Sequence, residues 1–102
     1  MATPTTELEN SNCFIKNKYF KWYIALIENA YHRTISEEVY FENHHYIPKS
    51  FGGINVVKLT AKEHFICHLI LIKITEGDNK RKMQFALTRL VHGNKKTYCN
   101  NL

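Results

Sequence analysis

The residues from Glu42 to Leu71, ENHHYIPKSFGGINVVKLTAKEHFICHLIL, decide the fold of this chain. Residues 38–47 are rich in β-branched and aromatic side chains and predict a strand. Pro48 ends it, because proline cannot donate a hydrogen bond to a strand ladder. A turn-rich loop with two glycines follows, and the β-prone run Val56–Leu59 predicts a second strand. The two strands are expected to form an antiparallel hairpin.

A helix is predicted directly after this hairpin. Thr60 and Glu63 have the spacing of a capping box, in which each side chain accepts a hydrogen bond from the backbone N–H of the other residue. The helix should therefore begin at Ala61 and run to about Ile74.

Two further helices are expected on either side of this core. Apolar residues recur at steps of three and four over 14–31, and a third helix is predicted around 83–91, with Gly93 as its C-cap. Residues 1–11 look like a flexible polar tail and 94–102 like a second tail. The sequence thus predicts one α+β domain over 12–93, with a hairpin-plus-helix core over 38–74 and flanking N-terminal and C-terminal helices.

Composition agrees with one small globular domain. The chain has 102 residues, of which 44% are hydrophobic and 23% charged. No apolar run approaches the roughly 20 residues that cross a bilayer, and no basic-then-apolar secretory signal is present, so we expect a cytoplasmic protein without a membrane span. Three cysteines fit a reducing compartment. The net charge of +5 makes nucleic acid a plausible partner.

Four of the six histidines fall in the hairpin and the helix after it. His64 and His68 are four residues apart, so they project from nearly the same helix face and can share a metal ion, although an exposed pair is the simpler interpretation. His44 and His45 are adjacent and would point to opposite faces of a regular strand. If both serve one site, that site must lie at a strand end or at an irregular edge.

The ordered run of His44-His45, Pro48, Gly52-Gly53, Asn55 and then His64 and His68 closely resembles the HNH endonuclease family, with its ββα-metal site. It looks most like the small phage-encoded, homing-type members. The resemblance implies a metal-dependent DNA endonuclease with one divalent ion, Zn, Mg, Mn or Ni, bound by His44, His64 and His68. It implies that His45 is the general base and that Asn55 holds this base in position.

Double-stranded DNA is then the expected substrate, in a phage-infected bacterial host. The sequence contains no separate domain that reads DNA sequence, so specificity is expected to be low or to come from the flanking helices, a homodimer or a phage or host DNA-processing partner. Two alternatives stay open. One is a non-catalytic nucleic-acid-binding module in which His45 is the fourth ligand of a structural zinc ion. The other is a small protein-interaction domain with an incidental histidine cluster.

Overall fold

A computed structural model describes residues 3–93 of the chain. These residues form four α-helices and one antiparallel two-stranded hairpin, which confirms the predicted α+β class. In chain order, the elements are α1 (Pro4–Asn10), α2 (Lys18–His32), β1 (Glu42–His45), a short 3-10 helix (Lys49–Phe51), β2 (Val56–Leu59), α3 (Ala61–Lys73) and α4 (Gly77–Gly93). The predicted tail at 94–102 lies outside the described residues.

The hairpin is shorter on its first strand than the sequence predicts. β1 covers four residues instead of the ten of 38–47, because β2 has only four residues with which to pair. The ladder runs from Glu42 opposite Leu59 to His45 opposite Val56. Residues 38–41 therefore lie outside the strand ladder, and they are exposed or half-buried.

The N-terminal flanking helix begins later than the apolar pattern indicates. Asn17 is its N-cap, and the Asn17 side chain accepts a hydrogen bond from the backbone N–H of Phe20. The helix therefore begins at Lys18 rather than at Phe14. Phe14 still belongs to the core, but it reaches the core from the segment before α2.

The predicted flexible tail is wrong for residues 4–10, which form α1. Thr3 caps this helix, and Pro4 occupies its first turn, where a missing N–H costs nothing. Leu8 is fully buried and packs in the core, and the Thr5 backbone N–H donates to Glu28 on α2. The sequence pattern missed α1 because one buried leucine in seven residues gives no helical periodicity.

The capping box is confirmed, since Thr60 and Glu63 satisfy each other's backbone N–H at the start of α3. Arg33 then binds both carboxylate oxygens of Glu63, at 2.8 and 2.6 Å, and joins the end of α2 to the start of α3. This cap therefore also fixes where α3 lies relative to α2.

The C-terminal helix α4 packs mainly on α3, and most of its residues are exposed. α4 begins at Gly77, six residues before the helix that the sequence predicts around 83–91. Only Met83 of α4 is buried. Gly93 is the last described residue, so its predicted role as a C-cap lies at the limit of the described residues. Among residues 3–93 no helix is both long and apolar enough to cross a membrane.

Candidate metal centre

Three histidines from the hairpin and the following helix meet at one point. His44 of β1 and His64 and His68 of α3 each offer a ring nitrogen, and these atoms all lie within 4.8 Å of one another. The ring centroids are 4.9 to 5.2 Å apart. His44 and His64 are buried and His68 is half-buried. Three imidazoles at these separations could hold a metal ion.

A buried tyrosine determines which nitrogen of His44 is free. The Tyr23 hydroxyl donates its only proton to the backbone carbonyl oxygen of Tyr46, at 2.7 Å. The Tyr23 hydroxyl oxygen also lies 2.8 Å from Nε2 of His44, so the Nε2–H of His44 must be the donor in that pair. The neutral His44 ring then keeps its lone pair on Nδ1, the nitrogen that remains available to a metal.

A carboxylate determines which nitrogen of His64 is protonated. Glu42 Oε1 accepts a hydrogen bond from His64 Nδ1, at 2.7 Å, and both side chains are largely shielded from solvent. This hydrogen bond leaves the His64 lone pair on Nε2. A carboxylate behind a ligating imidazole fixes the ring and raises its basicity, an arrangement common around metal-binding histidines.

The third histidine has a buried nitrogen with no partner. Among the described residues, Nδ1 of His68 is buried and makes no hydrogen bond. A buried polar atom without a partner costs roughly 1–3 kcal/mol. A metal ion coordinated there would remove that cost, so the residues present fit a bound cation.

Burial also keeps these rings in the form that binds metal. Desolvation, and then the neighbouring His68, His64 and His45, hold the pKa of His44 well below its usual value. Desolvation, and then His64, lower the pKa of His68 to about 4. Both rings are therefore neutral at pH 7, and only a neutral imidazole can donate a lone pair to a metal.

His45 lies beside this cluster without belonging to it. It is the last residue of β1, is half-buried, and lines the same open cleft as His44, His64 and His68. The strand end thus brings two adjacent histidines to one cleft, as the sequence required if both serve one site. Among residues 3–93 the His45 ring makes no hydrogen bond, so neither of its nitrogens is committed to a protein group.

We call this space the histidine cleft. It is lined by the four histidines and Lys49, and by Lys82, Phe85 and Arg89 of α4. Its volume is about 380 Å³. Because a water molecule takes up about 30 Å³, there is room for a phosphate group together with a water beside it.

Asn55 has contacts other than those expected of it. It directly precedes β2, whose first residue pairs with His45, but its side chain faces α1. The Asn55 amide nitrogen donates to both carboxylate oxygens of Glu7, at 3.2 and 3.1 Å, and the same carboxylate accepts the Tyr46 hydroxyl. The described hydrogen bonds thus link Asn55 to α1 rather than to His45, and its role toward the base stays a prediction.

The backbone of the loop requires glycine at positions 52 and 53. Gly52 has a φ of +90°, in the left-handed region that favours glycine. At Gly53 an added Cβ would lie 1.7 Å from the backbone oxygen of Ile47. The close approach is therefore between the backbone at Gly53, shortly before β2, and the backbone at Ile47, shortly after β1.

The sequence did not indicate which residues hydrogen-bond to the candidate metal ligands. Glu42 lies two residues before His44, on the same face of β1, and this spacing could have identified it. Tyr23 appears in the sequence only as part of an apolar stripe, and nothing in that pattern shows that its hydroxyl reaches the hairpin. Cys67, by contrast, behaves as a core residue, because it is fully buried and desolvation raises its thiol pKa.

Comparison with known proteins finds relatives that are named as endonucleases. The chain is 50% identical over 60 residues to "Probable mobile endonuclease E" of Enterobacteria phage T4. It is 34% identical over 90 residues to "Probable mobile endonuclease B" and 43% identical over 63 residues to "Probable mobile endonuclease D", both from the same phage. These alignments cover 55%, 81% and 55% of the chain.

The chain spans less than half the length of these curated relatives, 42%, 33% and 24% respectively. No protein-family model and no solved structure matches it.

Proposed function

We propose that this chain is a metal-dependent DNA endonuclease of the HNH type, which hydrolyses phosphodiester bonds in double-stranded DNA. The observation that carries the proposal is the meeting of His44, His64 and His68 within 4.8 Å, beside an uncommitted His45 in an open cleft. The similarity to three phage proteins named as probable mobile endonucleases supports it. So does the net charge of +5, which suits a polyanionic substrate.

The three ligands suit one divalent ion. His44 would bind through Nδ1, since its Nε2 contacts Tyr23, and His64 through Nε2, since its Nδ1 contacts Glu42. When bound, such an ion supplies a Lewis acid for a phosphate oxygen and the leaving oxygen. Imidazole ligands favour Zn or Ni in affinity, whereas phosphate chemistry is often best with Mg or Mn, so the bound and the working metal can differ.

His45 is the proposed general base. Its ring is half-buried in the cleft, and neither nitrogen is occupied by a protein hydrogen bond within the described residues. A neutral imidazole there can take a proton from a water that attacks the phosphorus atom. Asn55 would act indirectly, by fixing the loop at the point where β2 meets His45.

A structural zinc site fits less well. Such a site normally has four protein ligands, whereas a catalytic site keeps a position open. In the described part of the chain the cluster has three ligands, and His45 is outside it.

A plasmid cleavage assay with Mg, Mn, Ni or Zn, with and without chelator, tests the proposal. His45→Ala should reduce cleavage by roughly 10²- to 10⁴-fold while metal binding, measured by calorimetry, is retained. His64→Ala should lose both. His32→Ala, at an exposed histidine of α2, is the matched control and should cut like the wild type.

No cleavage of the plasmid by the wild type with any of these metals would count against the endonuclease. Two results with the His45 variant would count against other parts of the proposal. Cleavage by the His45 variant at the wild-type rate would remove the proposed base. Loss of metal and unfolding in that variant would instead support the structural zinc site.

A further inference from the structure

We propose that one face of α4, formed by Lys82, Phe85 and Arg89, holds a DNA strand across the histidine cleft. This inference rests on the proposed function in taking DNA as the substrate. It adds a DNA-binding surface outside the hairpin and α3. It also separates the cations of α4 that line the cleft from those that do not.

Helix geometry places the three side chains in one row. Their positions follow the i, i+3, i+7 spacing, so they lie within about 60° of one another around the helix axis. All three line the histidine cleft together with His45 and His68. Lys82 and Arg89 are separated by about 10.5 Å along the axis at 1.5 Å per residue, which is the length of about three nucleotides at 3.4 Å each.

The charge of the cleft suits a polyanion. Lys82 and Arg89 come from α4, and Lys49 comes from the short 3-10 helix after β1. Among the described residues that line the cleft, none is an aspartate or a glutamate. Three permanent positive charges without a neutralising carboxylate in the lining favour the binding of phosphate groups in this cleft.

Phe85 indicates a nucleotide strand rather than free phosphate. Its side chain is 64% exposed although it lies in the wall of the cleft. An aromatic ring between two cations can pack against a sugar or a base while the cations bind the flanking phosphates, the combination used in strand-binding channels. A phosphate ion alone would gain nothing from the ring.

The same helix offers a matched control. Lys80 and Arg81 have the same charges as the proposed pair but do not line the cleft, and Arg81 is paired with Asp78 at 3.1 Å. Replacing either pair removes two positive charges from α4. A difference between the two double variants therefore reports position and not net charge.

Binding is measured with the full chain in chelator, so that the DNA stays intact, by fluorescence anisotropy of a labelled duplex over a salt series. The double variant Lys82→Ala/Arg89→Ala should bind at least about tenfold more weakly than Lys80→Ala/Arg81→Ala. Its salt slope should fall by about 1.8, at 0.9 for each phosphate contact. With a labelled single strand as the probe, Phe85→Ala should weaken binding about 5- to 150-fold.

Equal affinities for the two double variants, or no binding by the wild type, would overturn the inference. Displacement of the DNA by an equal concentration of polyglutamate would show an acidic peptide site instead. If the wild type binds DNA through α4 but cuts no plasmid with any metal, the inference stands and the endonuclease fails. If the wild type cuts the plasmid and Lys82→Ala/Arg89→Ala binds DNA like the control, the endonuclease stands and the α4 inference fails.

Discussion

Acidification should begin to destabilise the metal-free protein below about pH 6.5, before carboxyl groups with an ordinary pKa of 4.5 are protonated. In the folded chain the pKa of His68 is lowered from 6.5 to about 4, mainly by desolvation. In the unfolded chain His68 therefore binds a proton near pH 6.5, whereas in the folded chain it binds one only near pH 4. Stability is complete above pH 6.5 and falls as the pH drops through this window, by up to about 1.4 kcal/mol for each pH unit.

For His68 alone, these two pKa values predict a loss of about 2 kcal/mol between pH 7.5 and pH 5.0. His44 should add to the loss, because its pKa is lowered in the same direction by burial and by its histidine neighbours. Glu28 and Glu63 have lowered pKa values too, but their ordinary value is 4.5, so they contribute little above pH 5.

Urea unfolding in chelator, followed by circular dichroism at several pH values, measures this loss. His68→Leu should reduce the drop by about 2 kcal/mol and should unfold no more easily than the wild type at pH 7.5, because it removes a buried nitrogen without a partner. Replacing the exposed His92 by Gln is the control and should leave the drop as it is. A free energy of unfolding that stays constant to pH 5.0, or an unchanged drop in His68→Leu, would refute the reasoning.

Three further changes test other parts of the structure. Glu42→Gln removes the charge behind His64 and should weaken metal binding about 10- to 100-fold by calorimetry; an unchanged affinity would show that the carboxylate does not support the ligand. Gly53→Ala should lower the melting temperature sharply, since its Cβ would overlap a backbone oxygen, whereas Gly93→Ala, in open space, should leave it nearly constant. Leu8→Ala should cost about 2–5 kcal/mol in urea unfolding, and a value near zero would mean that α1 does not belong to the core.

Local signals in the sequence predicted the central part of the fold well. The capping box of Thr60 and Glu63 located the start of α3 to the residue, because it is a short-range hydrogen-bond pattern. β2 was predicted with its observed bounds. β1 was predicted too long, because strand propensity shows which residues favour extended backbone but not where the partner strand ends.

The candidate site was predicted only in part, for a similar reason. The spacing of His64 and His68 fixes their common face, and this needs only helix geometry. The tautomer of His44 depends on Tyr23, which is 21 residues away in the chain and meets the hairpin only through packing. The contact of Asn55 with Glu7 spans 48 residues and involves a helix that the sequence pattern did not reveal.

The Tyr23 hydroxyl has a consequence for protein engineering. It connects α2 to both His44 and the backbone of Tyr46, so the three-histidine cluster cannot be transplanted as the hairpin and α3 alone. Without α2, His44 would lose the Tyr23 hydroxyl oxygen, the acceptor that selects its protonated nitrogen. The backbone carbonyl of Tyr46 would lose the hydrogen bond from the same hydroxyl. A working graft has to bring the preceding helix with it.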